Sequence, residues 1–394
     1  MDSKGSIPRM NQKQNITEIL HHLGEDDFPF GAVSPPLYQT SIFAFPTFED
    51  FQQAIGDEAH NCLYTRGNNP TVNLLEQKVA ALEHGERAKL VSSGAAAISA
   101  SILAFVQAGD HVVMVRDAYS WAKTLLEKYL PRFGVTHSWV SGTDVAEIEA
   151  AIRSNTKIIY LESPTTFRFE LQDLKAVAAL AKGRGIRTII DNTWATPIYQ
   201  NPLDYGIDLV VHSATKYFGG HSDVVAGVIV GNSADIEHIF ATEFLNIGTV
   251  PDPFMAWLLL RGLRTLQVRM QAHYANTLKI VDYLARHPKI EDIYYPFYAQ
   301  NPQYELAQAQ MRGGSGLFSF KLATRDAARV AAFTNRLRYF KRAVSWGGYE
   351  SLVFPYAVSH PDATDDRIAV VRVHIGLEEA ELLIASLDEA LKAI

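Results

Sequence analysis

Two short runs, Thr188-Ile189-Ile190-Asp191 and Asp208-Leu209-Val210-Val211-His212, constrain this chain more than any other feature. Each is apolar and β-branched, too brief for a surface helix, and closes on polar residues. They read as parallel strands buried on both faces. Asp191 stands at the end of the first and Lys216 just past the end of the second. In open α/β sheets ligands bind beyond the carboxyl ends of the strands, so the two side chains are expected to reach one crevice from neighbouring strands.

A strand-end Asp is commonly a helix cap, and a Lys before Tyr217-Phe218-Gly219-Gly220 is commonly solvated. The setting favours chemistry. Ser213 and Thr215 flank Lys216 with hydroxyls, and the glycine pair is expected where backbone passes close to a ligand. An amine and a carboxylate in one crevice match the needs of pyridoxal phosphate: the amine forms a Schiff base, and the carboxylate keeps the ring nitrogen protonated so that the ring stores electrons.

The stretches DNTWATP at 191–197 and SATKYFGGHSD at 213–223 resemble the signature of the pyridoxal-phosphate enzymes of cysteine and methionine metabolism. That family includes cystathionine β-lyase, cystathionine γ-lyase, cystathionine γ-synthase and methionine γ-lyase. The similarity runs from about residue 30 to the C-terminus. It implies the type I pyridoxal-phosphate fold, like that of aspartate aminotransferase, with a mainly parallel sheet in a large domain and a smaller α+β domain. It also implies a homotetramer built from dimers that share their active sites.

Length fits that plan, because 394 residues are expected to make two or three domains at roughly 150 residues each. The expected division is an N-terminal arm over 1–60, a cofactor-binding domain over 61–255 and a C-terminal domain over 256–394. Residues 27–60, with Pro35, Pro36, Pro46 and scattered aromatics, read as an extended arm packed on something. The polar stretch 1–14 lacks the apolar core of a signal peptide and reads as disordered. A net charge of −7 without a basic run argues against nucleic acid or an anionic membrane as partner. The single cysteine, Cys62, excludes an intrachain disulfide and fits a reducing cytoplasm. No stretch reads as a transmembrane span: Leu90–Val106 is interrupted by serines and glycine and reads as a buried helix.

Elements alternate along the large domain. Asn69-Pro70 opens a helix whose Val72, Leu75, Val79 and Leu82 recur at helical spacing up to Gly85. Lys89–Val91 reads as a strand running through Ser92-Ser93-Gly94-Ala95 into a helix that ends near Gln107. Such a turn, with unpaired amides at a helix N-terminus, favours an anion. Strands follow at 111–115, 157–161 and 187–190, with a helix over 174–182 before the last of these. After about residue 254 helices lead to an alternating strand at 317–322 and a closing amphipathic helix over 378–393. No GxGxxG competes with this reading. His21, His22 and His212 lack metal-ligand spacing, so no metal is expected.

Further roles come from the resemblance. It places the cofactor phosphate on the amides of Gly94 and Ala95 and the hydroxyls of Ser213 and Thr215, with Tyr119 stacked on the ring. Thr166, in Glu162-Ser163-Pro164-Thr165-Thr166, stands where relatives commonly carry an asparagine that contacts the cofactor. Arg372 is implied as the clamp for a substrate α-carboxylate, a task suited to its planar fork. The alternative for Arg372 is a strand-edge arginine facing solvent. Ser345 and Trp346 belong to the substrate pocket, where Gly347-Gly348 is expected to let backbone approach a ligand. Tyr64 and Arg66 are implied to serve a neighbouring subunit's phosphate, and Tyr64 to contact the substrate as well. The runs SWGGYESL at 345–352 and RVHIGLE at 372–378 resemble bacterial β-lyases. The expected reaction is therefore elimination from cystathionine or a cysteine S-conjugate. A γ-lyase, a γ-synthase and a catalytically silent binding protein remain the alternatives.

Overall fold

The computed structural model describes residues 15–360 and 365–394; the expected disordered stretch 1–14 lies outside the described residues. Seven strands form the larger sheet: β1 (Arg87–Val91), β2 (His111–Val115), β3 (Thr136–Val140), β4 (Thr156–Glu162), β5 (Arg187–Asp191), β6 (Leu209–His212) and β7 (Gly227–Gly231). Their order is β1-β7-β6-β5-β4-β2-β3. β7 is antiparallel to both of its neighbours, and the other pairs are parallel. The apolar runs that read as two-sided strands are covered on both faces: Val112, Val113, Ile189, Ile190, Val210 and Val211 are all inaccessible to solvent.

The helix Pro70–Glu83 begins as its sequence signals, with Asn69 accepting from the Thr71 amide and proline in the first turn. The helix Gly94–Leu103 is shorter than expected. Phe105 bonds back to Ile102 and Val106 to Leu103, so the last turn tightens to i−3 bonding and the chain leaves before Gln107.

The second sheet holds β8 (Ile290–Tyr294), β9 (Leu317–Leu322), β10 (Lys341–Arg342), β11 (Leu352–Pro355) and β12 (Val370–His374), in the order β10-β11-β12-β9-β8. The helices Leu266–Ala285 and Ala327–Arg336 pack on it, and Ala380–Leu391 packs on those two helices. The helix Pro253–Leu263 crosses the expected boundary at 255 and packs on Pro70–Glu83, in the layer of the larger sheet.

The N-terminal region departs from a plain extended arm, because Ile16–His21 and Phe48–Ile55 are helical. Thr47 caps the latter by accepting from the Asp50 amide, with Glu49 and Asp50 in the first turn. Its apolar stripe, Phe48, Phe51 and Ile55, is exposed in this chain, and only Ala54 is buried. Among the described residues no helix is long and apolar enough to cross a membrane.

Candidate active site

The site forms where β4, β5 and β6 end. Asp191 is the last residue of β5; its Oδ1 accepts from the Thr193 amide at 2.9 Å and the Thr193 hydroxyl at 2.5 Å. The same hydroxyl accepts from the Ser213 amide at 2.8 Å, which ties the end of β5 to the turn after β6. Burial pushes the Asp191 carboxyl up, while the Thr193 bonds and the charges of His212 and Lys216 pull it down. Its second oxygen makes no hydrogen bond among the described residues and is available to a ligand.

Lys216 meets the smaller sheet's loops. Its Nζ donates to Ser345 Oγ at 2.5 Å and lies 5.7 Å from the centre of the Trp346 ring. Burial and the charge of Arg372 hold the amine down at about 8, against the opposing pull of Asp191. Gly347, at φ +89°, seats against this lysine: a Cβ there would lie 2.9 Å from the Lys216 Cα. The glycine pair at 347–348 therefore admits protein where a ligand was expected, with Gly348 facing Ser222 and Glu350. The same holds at Gly220, whose φ is +70° and whose Cβ would run into the Arg269 guanidinium at 2.2 Å, and at Gly219, which faces Val224.

Arg372 sits on β12, between β11 and β9, which removes the solvent-facing edge alternative. Its guanidinium lies 5.2 Å from the ring centres of both Phe167 and Phe354. Burial pulls it down to about 10, and the Glu162 carboxylate pulls the other way. Glu162, which the sequence reading passed over, is buried at the end of β4, and its Oε2 accepts from the Tyr119 amide at 2.7 Å. Tyr119 directly precedes the short helix Ser120–Thr124 and is 39 % exposed. Thr193 was also missed, since a threonine two residues beyond a strand carries no periodic signal. His374 is buried against the Gly348 carbonyl, and burial holds its imidazole down at about 4.

Gly94 and Ala95 carry the first two amides of their helix, which lie beyond the reach of i−4 bonding. A Cβ on Gly94 would lie 2.7 Å from the Ser213 Cβ, so only glycine leaves this cradle open. The Ser213 hydroxyl makes no hydrogen bond among the described residues. Thr215 differs from expectation: its hydroxyl donates to the Ala226 carbonyl at 3.2 Å and accepts from the Ala226 amide at 3.1 Å. Tyr64 and Arg66 are exposed, and the Arg66 guanidinium lies 5.6 Å from the Tyr64 ring centre.

An anion cradle, an open carboxylate oxygen and a depressed amine are the donor set that pyridoxal phosphate requires, and the residues present fit it. The family model for Cys/Met metabolism PLP-dependent enzymes matches residues 16–392. The chain belongs to this family. Its cofactor is pyridoxal 5′-phosphate. Similar members of the Cys/Met metabolism family include the L-methionine gamma-lyase of Pseudomonas putida, 38% identical over 96% of this chain and 97% of that protein. The cystathionine beta-lyase of Lactococcus lactis subsp. cremoris is 37% identical over 95% of this chain and 98% of its own. The crystal structure of metB from Corynebacterium glutamicum matches with a TM-score of 0.89 at 35% identity, covering 96% of this chain and 98% of that one.

Proposed function

We propose that the protein is a carbon–sulfur lyase that acts by α,β-elimination on cystathionine or related cysteine S-conjugates, releasing a thiol and an aminoacrylate that one water hydrolyses to pyruvate and ammonia. The observation that supports the β assignment is the anchoring of the Lys216 amine on one loop, by its bond to Ser345 and its contact with Trp346. Elimination from Cβ needs one proton removed, at Cα, whereas γ-chemistry needs a second removal at Cβ and a base that travels.

When bound, pyridoxal 5′-phosphate supplies the electron sink that stabilises negative charge at the substrate Cα. In this reading the chain does the rest. Arg372, packed against Phe167 and Phe354, clamps the α-carboxylate with its fork and fixes the substrate's orientation. Lys216, depressed to about 8, is a general base near neutrality and takes the Cα proton. Asp191 holds the proton at the ring nitrogen, and Thr193 aims its carboxylate. Gly94, Ala95 and Ser213 hold the phosphate, with Thr215 joining only if it releases Ala226. Tyr119 covers the ring, and the Trp346 indole excludes water from the amine.

The methionine gamma-lyase relative, as similar in sequence as the beta-lyase, favours γ-elimination as the second reading. The test is the keto acid. Incubating the holoenzyme with cystathionine, cysteine and methionine in turn should give pyruvate from the first two and no 2-oxobutyrate from methionine. Dominant 2-oxobutyrate would replace the β reading with the γ one.

A further inference from the structure

Glu162 and Asp191 are the last residues of β4 and β5 and are register partners across that parallel pair. Adjacent strands run about 4.8 Å apart and register partners project from the same face, so two carboxyl groups stand side by side at the carboxyl ends of the strands. Glu162 is 8 % exposed. Two neighbouring carboxylates with little water to screen them do not both ionise, and one keeps a proton. The surrounding charges decide which. Asp191 accepts two bonds from Thr193 and has the charges of His212 and Lys216 beside it, a setting suited to an anion. Glu162 accepts from the Tyr119 amide and the Thr166 hydroxyl and has Arg372 as its one neighbouring cation.

We propose that Glu162 is a positioning residue that works as a neutral carboxylic acid, holding Tyr119 by its carbonyl oxygen while Asp191 carries the negative charge of the pair. The charged and titratable groups that face the pair are Tyr119 after β2, Tyr160 on β4, Lys216 and His212 after and on β6, and Arg372 on β12. Burial, then the charge of Asp191, pushes Glu162 up to about 8, against the Tyr119 amide, the Thr166 hydroxyl and Arg372. Two consequences follow for the chemistry. Arg372 keeps its full charge for a substrate carboxylate, since an ionised Glu162 would partly cancel it. Thr166 lies beside a proton donor, which gives this position a partner in place of the amide that relatives carry there.

This inference rests on the lyase reading only for the choice of assay, so its first test uses no substrate. Infrared difference spectra of the holoenzyme near pH 7, wild type minus E162Q, should show the carbonyl stretch of a protonated carboxylic acid that shifts in heavy water. A difference carrying only carboxylate bands would overturn the proposal whatever the keto-acid assay returns. The second test is rescue. Glutamine reproduces a neutral acid's acceptor and donor, so E162Q should exceed E162A in kcat by at least about tenfold, with KM within a few-fold of wild type. E162Q falling as far as E162A, or binding substrate more than about tenfold tighter than wild type because a negative charge near Arg372 has gone, would show that Glu162 works ionised.

Discussion

Lys216 and Ser345 stand 129 residues apart in sequence, yet the lysine Nζ donates to the serine hydroxyl at 2.5 Å, joining the loop after β6 to the loop before β11. Ser345 adopts φ +78°, a conformation unusual for a residue with a side chain, and so holds a strained backbone where it meets the amine. The hydroxyl accepts from Lys216 and therefore favours the charged amine. Ser345→Ala should lower the lysine's pKa further and loosen its aim. The expected result is a kcat about tenfold lower with KM little changed. The rise of kcat with pH, centred near 8 in the wild type, should move to lower pH. An unshifted profile with normal kcat would remove Ser345 from control of the base.

Glu162 also predicts a pH dependence of stability. Its carboxyl is held at about 8 in the folded chain against an ordinary 4.5, so the folded state keeps a proton that the unfolded chain gives up. That contribution is fully present below about 4.5 and is lost as pH rises through about 8. Glutamine does not titrate. Relative to Glu162→Gln, the wild-type apoenzyme should therefore weaken steadily between pH 5 and pH 8, read as a falling difference in urea midpoints. A constant difference across that window would place the two pKa values together.

The contrast between these residues shows what a single sequence discloses. Asp191 and Lys216 stand out because they close apolar runs whose patterning marks buried parallel strands, and Arg372 because it interrupts another such run. Glu162 closes β4 in the same way but has significance only beside Asp191, and that pairing is a fact of strand order. The Lys216–Ser345 bond likewise spans two sheets, and no local pattern encodes it. Gly220 and Gly347 were rightly read as sites of close approach, but what approaches is Arg269 and Lys216. The helix Phe48–Ile55 carries both a cap, Thr47 with Asp50, and an apolar stripe of Phe48, Phe51 and Ile55, but it lies among the prolines and aromatics of a stretch that reads as extended.

Asp191→Asn keeps the shape of the carboxylate and removes its charge. The variant should bind the cofactor, judged by its visible absorbance, yet turn over orders of magnitude more slowly, because a neutral amide does not hold the proton at the ring nitrogen. Thr193 still has an acceptor in the asparagine carbonyl, so the fold at the end of β5 should persist. Near-normal turnover would take Asp191 out of the mechanism.

Arg372→Lys tests shape against charge. Phe167 and Phe354 pack on each other and against the planar guanidinium, whereas an ammonium presents no pair of parallel donors. KM should rise by about tenfold or more while cofactor absorbance stays as in the wild type. Unchanged kinetics would mean that the substrate carboxylate is bound elsewhere.

The final prediction concerns the exposed pair Tyr64 and Arg66. They follow the arm and precede the helix Pro70–Glu83, and the chain at this point is fixed from behind: Lys89 donates to the Gly67 carbonyl at 2.9 Å and to Asn68 at 3.2 Å. A phenol and a guanidinium held outward on a fixed base suit a phosphate on a neighbouring molecule. In a closed two-fold dimer such an exchange is reciprocal, and each dimer carries two equivalent sites. Arg66→Ala and Lys216→Ala chains should each be inactive alone. Unfolded together and refolded, their mixed dimers contain one site that lacks both residues and one that has both, so activity should return toward about half the wild-type value per mixed dimer. If Arg66 instead serves its own chain, each site of the mixed dimer lacks one residue. Mixed dimers that form, as seen by differential tagging, and stay inactive would establish that arrangement.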